Sequence, residues 1–493
     1  MRQSGILMHI TSLPGNYGIG TMGKEAYQFV DFLHAAGQSW WQILPLSPTG
    51  FGDSPYQSLS SCAGNHYLID LDILIKEGLL KKGEVKDIPW GANPGRVDFG
   101  AMFRYRTQVL KLAFHRFTPD QGFQRFVEEN ENWLRDYTLF MALKEHYGGC
   151  AWLDWPESLR LREEDALKTQ REALAQNIAF HYFLQYKFFQ QWNALRSYAN
   201  GKGIRIIGDL PIYVPLDSAD VWAEPELFQL DESRRPIKVA GCPPDSFTAD
   251  GQLWGNPIYD WKRMADTGYG WWIRRFRSAA KLYDVVRIDH FRGFESYWAV
   301  PYGDKTARNG QWVKGPGMDF FHMVHREFPD LPFIAEDLGY VTPEVRQLQQ
   351  DSGYPGMKVI EFAFDSREES DYLPHLYPVD SICYTGTHDN VTLKQWLQEA
   401  KPKDVAYAKA YLGLNRGEGY IWGLIRGGMG SVSKLFIAQM QDYLELGKEG
   451  RMNLPGTVST DNWTWRAEKG FASRRLANKL YAVTRRYGRA PSK

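Results

Sequence analysis

The sequence predicts an α/β protein, a (β/α)8 TIM barrel with subdomains inserted between barrel strands, and three observations point there. Short, nearly unbroken apolar runs recur along the chain, helical patterns lie between several of them, and acidic residues stand where runs end. Parallel strands covered on both faces by helices read as continuous apolar runs, because neither face meets water. In order, the candidate strands are Gly5 to Ile10, Trp40 to Leu44, Ile204 to Ile207, Val285 to Asp289, Phe333 to Glu336, Lys358 to Phe362, Ser381 to Tyr384 and Phe436 to Met440. Eight is the number such a barrel needs.

Between the second and third runs lie roughly 160 residues, far more than a crossover helix of about 10 to 15 residues uses. An insertion over about 47–198 is therefore expected. It opens with the Gly/Ser/Tyr-rich FGDSPYQSLSSCAGNHY (Phe51 to Tyr67), read as a long loop, and becomes helical from about residue 101. Phe180, Phe183, Leu184, Phe188, Trp192 and Leu195 recur at helical spacing there, which makes them core residues. The third run continues as GDLPIYV, and a second insertion over about 211–265, rich in Pro, Gly and Trp, follows it. Both insertions leave the carboxyl ends of strands, where barrel enzymes carry their active sites. No Ser/Gly- or Pro-rich linker divides the chain, so residues 1–493 are read as one catalytic barrel.

The chain has 493 residues and is 43% hydrophobic, enough for a large core. Its formal net charge is zero and its Lys and Arg are scattered, which argues against nucleic acid or an anionic membrane as partner and favours a neutral one. No uninterrupted apolar stretch approaches the ~20 residues that cross a bilayer, and MRQSGILMHITSLPG enters a strand without the apolar core of a secretion signal. Cys62, Cys150, Cys242 and Cys383 fit no metal spacing, and reduced thiols in a cytoplasmic setting are expected.

Asp289, Glu336 and Asp389 close the runs VVRID, FIAE and the segment ICYTGTHD, at intervals of 47 and 53 residues. One acid after a strand is ordinarily a helix cap or an ion-pair partner; three in register suggest retaining glycosidase chemistry. Side chains alternate along a strand, so Arg287 and Asp289 share a face, and the guanidinium is expected to lower the Asp289 pKa and keep a nucleophile ionised. Glu336 follows the apolar Pro332 to Ala335, a setting that keeps a carboxyl protonated and suits a general acid. Asp389, after His388, is expected across the mouth, acting on the transition state. Asp209 ends the third run in a similar place, where it either contacts sugar or braces a neighbour. His9 and His290 are ranked behind these. Tyr56, Phe247, Trp254, Trp463 and Trp465, in or near Gly/Pro-rich segments, are candidates for stacking on sugar rings. No GxSxG elbow or Gly-rich phosphate loop is present.

At this point the motifs become specific. SGILMHITSLPG, GDSPYQS, GDLPIYV, PPDSFTADGQLWGNP, RIDHFRGF, IAEDLG, GTHDN, and RMNLPGT followed by DNWTWR make the chain resemble, over nearly its whole length, the 4-α-glucanotransferases of glycoside hydrolase family 77, the amylomaltase or disproportionating-enzyme type. The resemblance implies Asp289 as nucleophile, Glu336 as general acid/base and Asp389 as transition-state stabiliser. It implies sugar-binding roles for Tyr56, Asp209, Gln252, Trp254, Arg287, His388 and Asn462, and a lid over about Asp245 to Gly255 that adds Asp245 and Phe247 to the substrate-binding set. It also implies no metal or organic cofactor, and maltooligosaccharides, amylose, or starch- and glycogen-derived glucans as substrates, in the cytoplasm or in a plastid after loss of a transit peptide. An α-amylase-type retaining hydrolase with the same acids is the alternative.

Overall fold

The computed structural model describes residues 2–244, 249–368 and 370–491. Twelve strands are present among them: β1 Gln3–Leu7, β2 Trp40–Gln42, β3 Arg205–Pro211, β4 Lys238–Cys242, β5 Gln252–Pro257, β6 Val285–Asp289, β7 Ser296–Pro301, β8 Gln311–Lys314, β9 Phe333–Ala335, β10 Gly356–Val359, β11 Ser381–Tyr384 and β12 Leu435–Gln439. Eight form one parallel sheet in the order β10-β11-β12-β1-β2-β3-β6-β9. The sheet curls until its edges meet, where the Ala335 N–H of β9 donates to the Pro355 carbonyl just before β10, 3.0 Å away. The result is the α/β barrel that the apolar runs imply.

Each expected run contains a barrel strand, with ends displaced by a few residues. The Lys358 to Phe362 run, for instance, is extended only over Gly356–Val359 and then turns through a 3-10 segment, Ile360–Phe362. Ile6, Trp41, Val286, Ile288, Ala335, Phe436 and Ile437 are fully buried, and each such side chain contributes about 1.5–3 kcal/mol for the larger apolar types. In β3 the absence of a side chain at Gly208 is required, because a Cβ there would run into the Tyr283 ring.

Between β2 and β3 the chain runs through a loop and then a helical layer. Its long helices, Gln121–His146 and Ala175–Gly201, pack on each other, and all six aromatic and aliphatic residues read as core in 180–195 are buried. Trp192 Nε1 donates to the Leu282 carbonyl at 3.1 Å, and Arg196 pairs with Asp284 at 2.6 Å. These contacts dock the layer onto the turn that enters β6.

The insertion following β3 and the segment following β6 carry strands that the sequence reading did not assign. They form a second, four-stranded antiparallel sheet in the order β5-β4-β7-β8. Sequence periodicity missed it because Gly and Pro dominate 241–257, while alternation in SYWAVP is only six residues long. At the far end of the barrel the chain termini are joined: the fully buried Arg489 donates to the carbonyls of Gln3, Met429 and Ser431.

Candidate active site

Strand register builds the floor of the barrel mouth. Asp209 on β3 stands opposite Arg287 on β6, and Pro211 stands opposite Asp289. One guanidinium nitrogen of Arg287 donates to both Asp209 oxygens at 2.7 Å and to Asp289 Oδ1 at 3.0 Å. The Asp209 side chain is 1% exposed and that of Asp289 28%, so Asp209 and Arg287 form a sealed ion pair beneath a nucleophile candidate that still meets solvent.

The net effect on Asp289 corrects the expectation from sequence. Burial pushes its carboxyl upward; Arg287 opposes this, while Asp209, Glu336 and Asp389 add to the push. Arg287, which also pairs with Asp209, does not offset the burial of the carboxyl. Glu336 is also pushed up, chiefly by burial. Both carboxyls are thus held above the ordinary carboxylate range, against Arg287 and, at Glu336, the amides of His290 and Leu338.

Ile288 of β6 pairs with Ala335 of β9, so Asp289 and Glu336 occupy the next matched positions on neighbouring strands. Adjacent strands lie about 4.8 Å apart, close to the ~5–5.5 Å between carboxyls in retaining enzymes. Just beyond β6, His290 adopts a left-handed conformation with φ 53°, a non-glycine geometry that costs on the order of 1 kcal/mol or more. Its amide is thereby aimed at Glu336 Oε2, 2.7 Å away, while the Leu338 amide reaches Oε1 at 3.0 Å. Trp254, from β5, stands edge-on to the His290 ring at 4.8 Å, and its indole N–H donates to Gln252 Oε1 at 3.2 Å. Burial lowers His290 to about 3, so its ring is neutral.

Across the mouth, the loop after β11 carries His388 and Asp389. The Tyr56 hydroxyl donates to Asp209 Oδ2 at 2.7 Å and lies 3.5 Å from His388 Nδ1; His388 Nε2 is 3.5 Å from Asp389 Oδ2. The Tyr56 and His388 rings stack at 5.0 Å and 15°, with Trp463 tilted against both. Tyr56, Asp209, Arg287, His388 and the three acids thus converge on one rim. Two residues with no individual role in the sequence reading complete it. Asn453 Nδ2 donates to Asp389 Oδ1 at 2.6 Å, and Arg451 holds the Asp389 carbonyl at 2.9 Å and the Asn453 carbonyl at 2.8 Å. Their only signal was their place in RMNLPGT.

Asn462 has a different role from the one expected. Its amide is spent inside its own loop, accepting from the Leu454 N–H and donating to the Thr457 carbonyl and hydroxyl. It shapes the segment that presents Trp463. Trp465 is buried beside His9, and His9 accepts the Leu44 N–H at 3.3 Å. Asp245 and Phe247 lie outside the described residues.

A parallel barrel with matched carboxyls on neighbouring strands and a third across its mouth defines a retaining, sugar-processing barrel enzyme. The family can be stated more closely: a family profile described as 4-alpha-glucanotransferase matches residues 8–472, and the chain belongs to that family, glycoside hydrolase family 77. It is 49% identical to a 4-alpha-glucanotransferase of Clostridium butyricum, covering 98% of this chain and 100% of that one. It is 40% identical to the chloroplastic/amyloplastic 4-alpha-glucanotransferase of Solanum tuberosum, covering 99% and 86%. Among solved structures, an amylomaltase from Streptococcus agalactiae in complex with acarbose superposes with a TM-score of 0.97 at 44% identity over the full length of both chains.

Proposed function

We propose that the site transfers a segment of a 1,4-α-D-glucan to the 4-OH of an acceptor sugar by double displacement, with Asp289 as nucleophile, Glu336 as general acid/base and Asp389 as transition-state stabiliser. The observation that carries this assignment is the β6–β9 register up to Ile288 and Ala335, which puts Asp289 and Glu336 next on neighbouring strands, with Arg287 bonded to Asp289 and two main-chain amides to Glu336. Glu336 protonates the glycosidic oxygen as Asp289 attacks C1, leaving a covalent glucosyl-enzyme. Glu336, now a base, takes the proton from the acceptor hydroxyl, and that oxygen displaces Asp289 with the α configuration restored. Asp389, held by Asn453, stabilises the charge that develops on the ring. Tyr56 and His388 line the donor sugar's side above the Arg287–Asp209 pair, and Gln252 and Trp254 close over the site.

Family membership favours transfer over the hydrolase alternative. Maltooligosaccharides and starch- or glycogen-derived glucans are the proposed substrates, in the cytoplasm or, as named for the potato relative, a plastid. Incubation with maltotriose tests the reaction. A ladder of longer maltooligosaccharides plus glucose is expected; glucose and maltose alone would overturn transfer. Asp289→Asn should lose nearly all turnover while remaining folded.

A further inference from the structure

Beside Glu336, on the side away from Asp389, lies an aromatic surface to which the mechanism gives no role. Tyr340 follows the acid/base by four residues and is 69% exposed; Trp312, on β8, is 39% exposed. Between them the Arg292 guanidinium lies 3.8 Å from the centroid of the Trp312 ring and 5.7 Å from that of Tyr340. Arg292 Nη1 donates to the Tyr340 carbonyl at 2.7 Å and Nη2 to Ser296 Oγ at 3.0 Å. Trp312 is braced from beneath by Trp298, edge-on at 5.2 Å.

Two features point to what this surface binds. Arg292 is only 5% exposed, so its charge is covered and does not advertise for an anion. What stays exposed are two aromatic rings, that of Trp312 covered by the guanidinium on one face only, and apolar faces with polar edges suit pyranose rings. Position then selects the part of the glucan. An acid/base stands on the leaving-group side of the scissile bond, and the platform is carried by the loop leaving Glu336, the turn after Asp289 that bears Arg292, and β8. Tyr56, His388 and Trp463 occupy the opposite arc.

We propose that Tyr340 and Trp312, splinted by Arg292, form an acceptor-side binding site for α-glucan residues beyond the one bonded at Glu336. This rests on the reading of Glu336 given above. It makes chain length on the acceptor side a determinant of affinity and not of the chemical step.

The test uses the full-length enzyme with Tyr340→Ala and Tyr340→Phe. For Tyr340→Ala, the ratio of kcat/KM for maltoheptaose to that for maltotriose is expected to fall roughly 2- to 10-fold, the range of an aromatic contact; Tyr340→Phe should keep the ratio. Calorimetric titration of each variant in an Asp289→Asn background reads the same ratio as Kd without turnover. An unchanged ratio for Tyr340→Ala, equal losses at both chain lengths, or the same loss in Tyr340→Phe overturns the platform. Absence of transfer by the parent enzyme, with the titration ratio intact, counts against the mechanism and leaves the platform standing.

Discussion

Asp389 depends on a single short amide bond from Asn453, and its main chain depends on Arg451. If Asp389 acts on the transition state, Asn453→Ala should lower kcat about 10- to 100-fold with little change in KM, because the lost interaction is one that strengthens only as charge develops. A rise in KM alone, measured with maltotriose, would instead make Asn453 a ground-state sugar contact. This pair marks the limit of legibility at the residue scale. Asp289 and Glu336 could be read because each ends an apolar run, and Asp389 because it follows one within five residues, a local pattern. Asn453 lies 64 residues beyond Asp389 in a loop without periodicity, so only folding brings it to its partner. The Asp289 environment was misjudged for a related reason: Arg287 was visible two residues away, but its sharing with Asp209, 78 residues earlier, was not.

At the scale of elements, the loop bearing Asp389 is stapled at both ends by one buried carboxylate. Asp442, just beyond β12, accepts from Thr385 Oγ1 at 2.6 Å and from the Leu393 amide at 2.8 Å. Burial raises Asp442 to about 6, above the ~3.9 of an unfolded aspartate. Its favourable contribution is thus complete below about pH 4 and lost as the pH rises through about 6, since the native state then binds the extra proton. Asp442→Asn should accordingly raise Tm at pH 8, by the equivalent of up to about 3 kcal/mol, and give no such gain at pH 4. A larger gain at the acid end of a thermal melt series would contradict this sign. Barrel strands were legible at this scale because burial on both faces writes itself into composition; the antiparallel sheet was not, because its pairing joins segments on either side of β6.

For the whole molecule, closure of the chain rests on Arg489, whose three bonds tie the C-terminal region to β1 and to the turn before β12. Arg489→Ala removes the guanidinium bonds to the Gln3 and Met429 carbonyls, while Ser431 keeps its bond from Arg2, and a loss on the order of 2–4 kcal/mol is expected. Chemical denaturation should show it as a lower midpoint with maltotriose turnover preserved below the transition. The shared sheet has a different consequence. Strands β4 and β5 are paired through β7 to the hairpin that follows β6. Anyone transplanting the β4–β5 pair between relatives would have to move it together with the β7–β8 hairpin as one cassette, since either pair alone would arrive without the partner that sets its tilt.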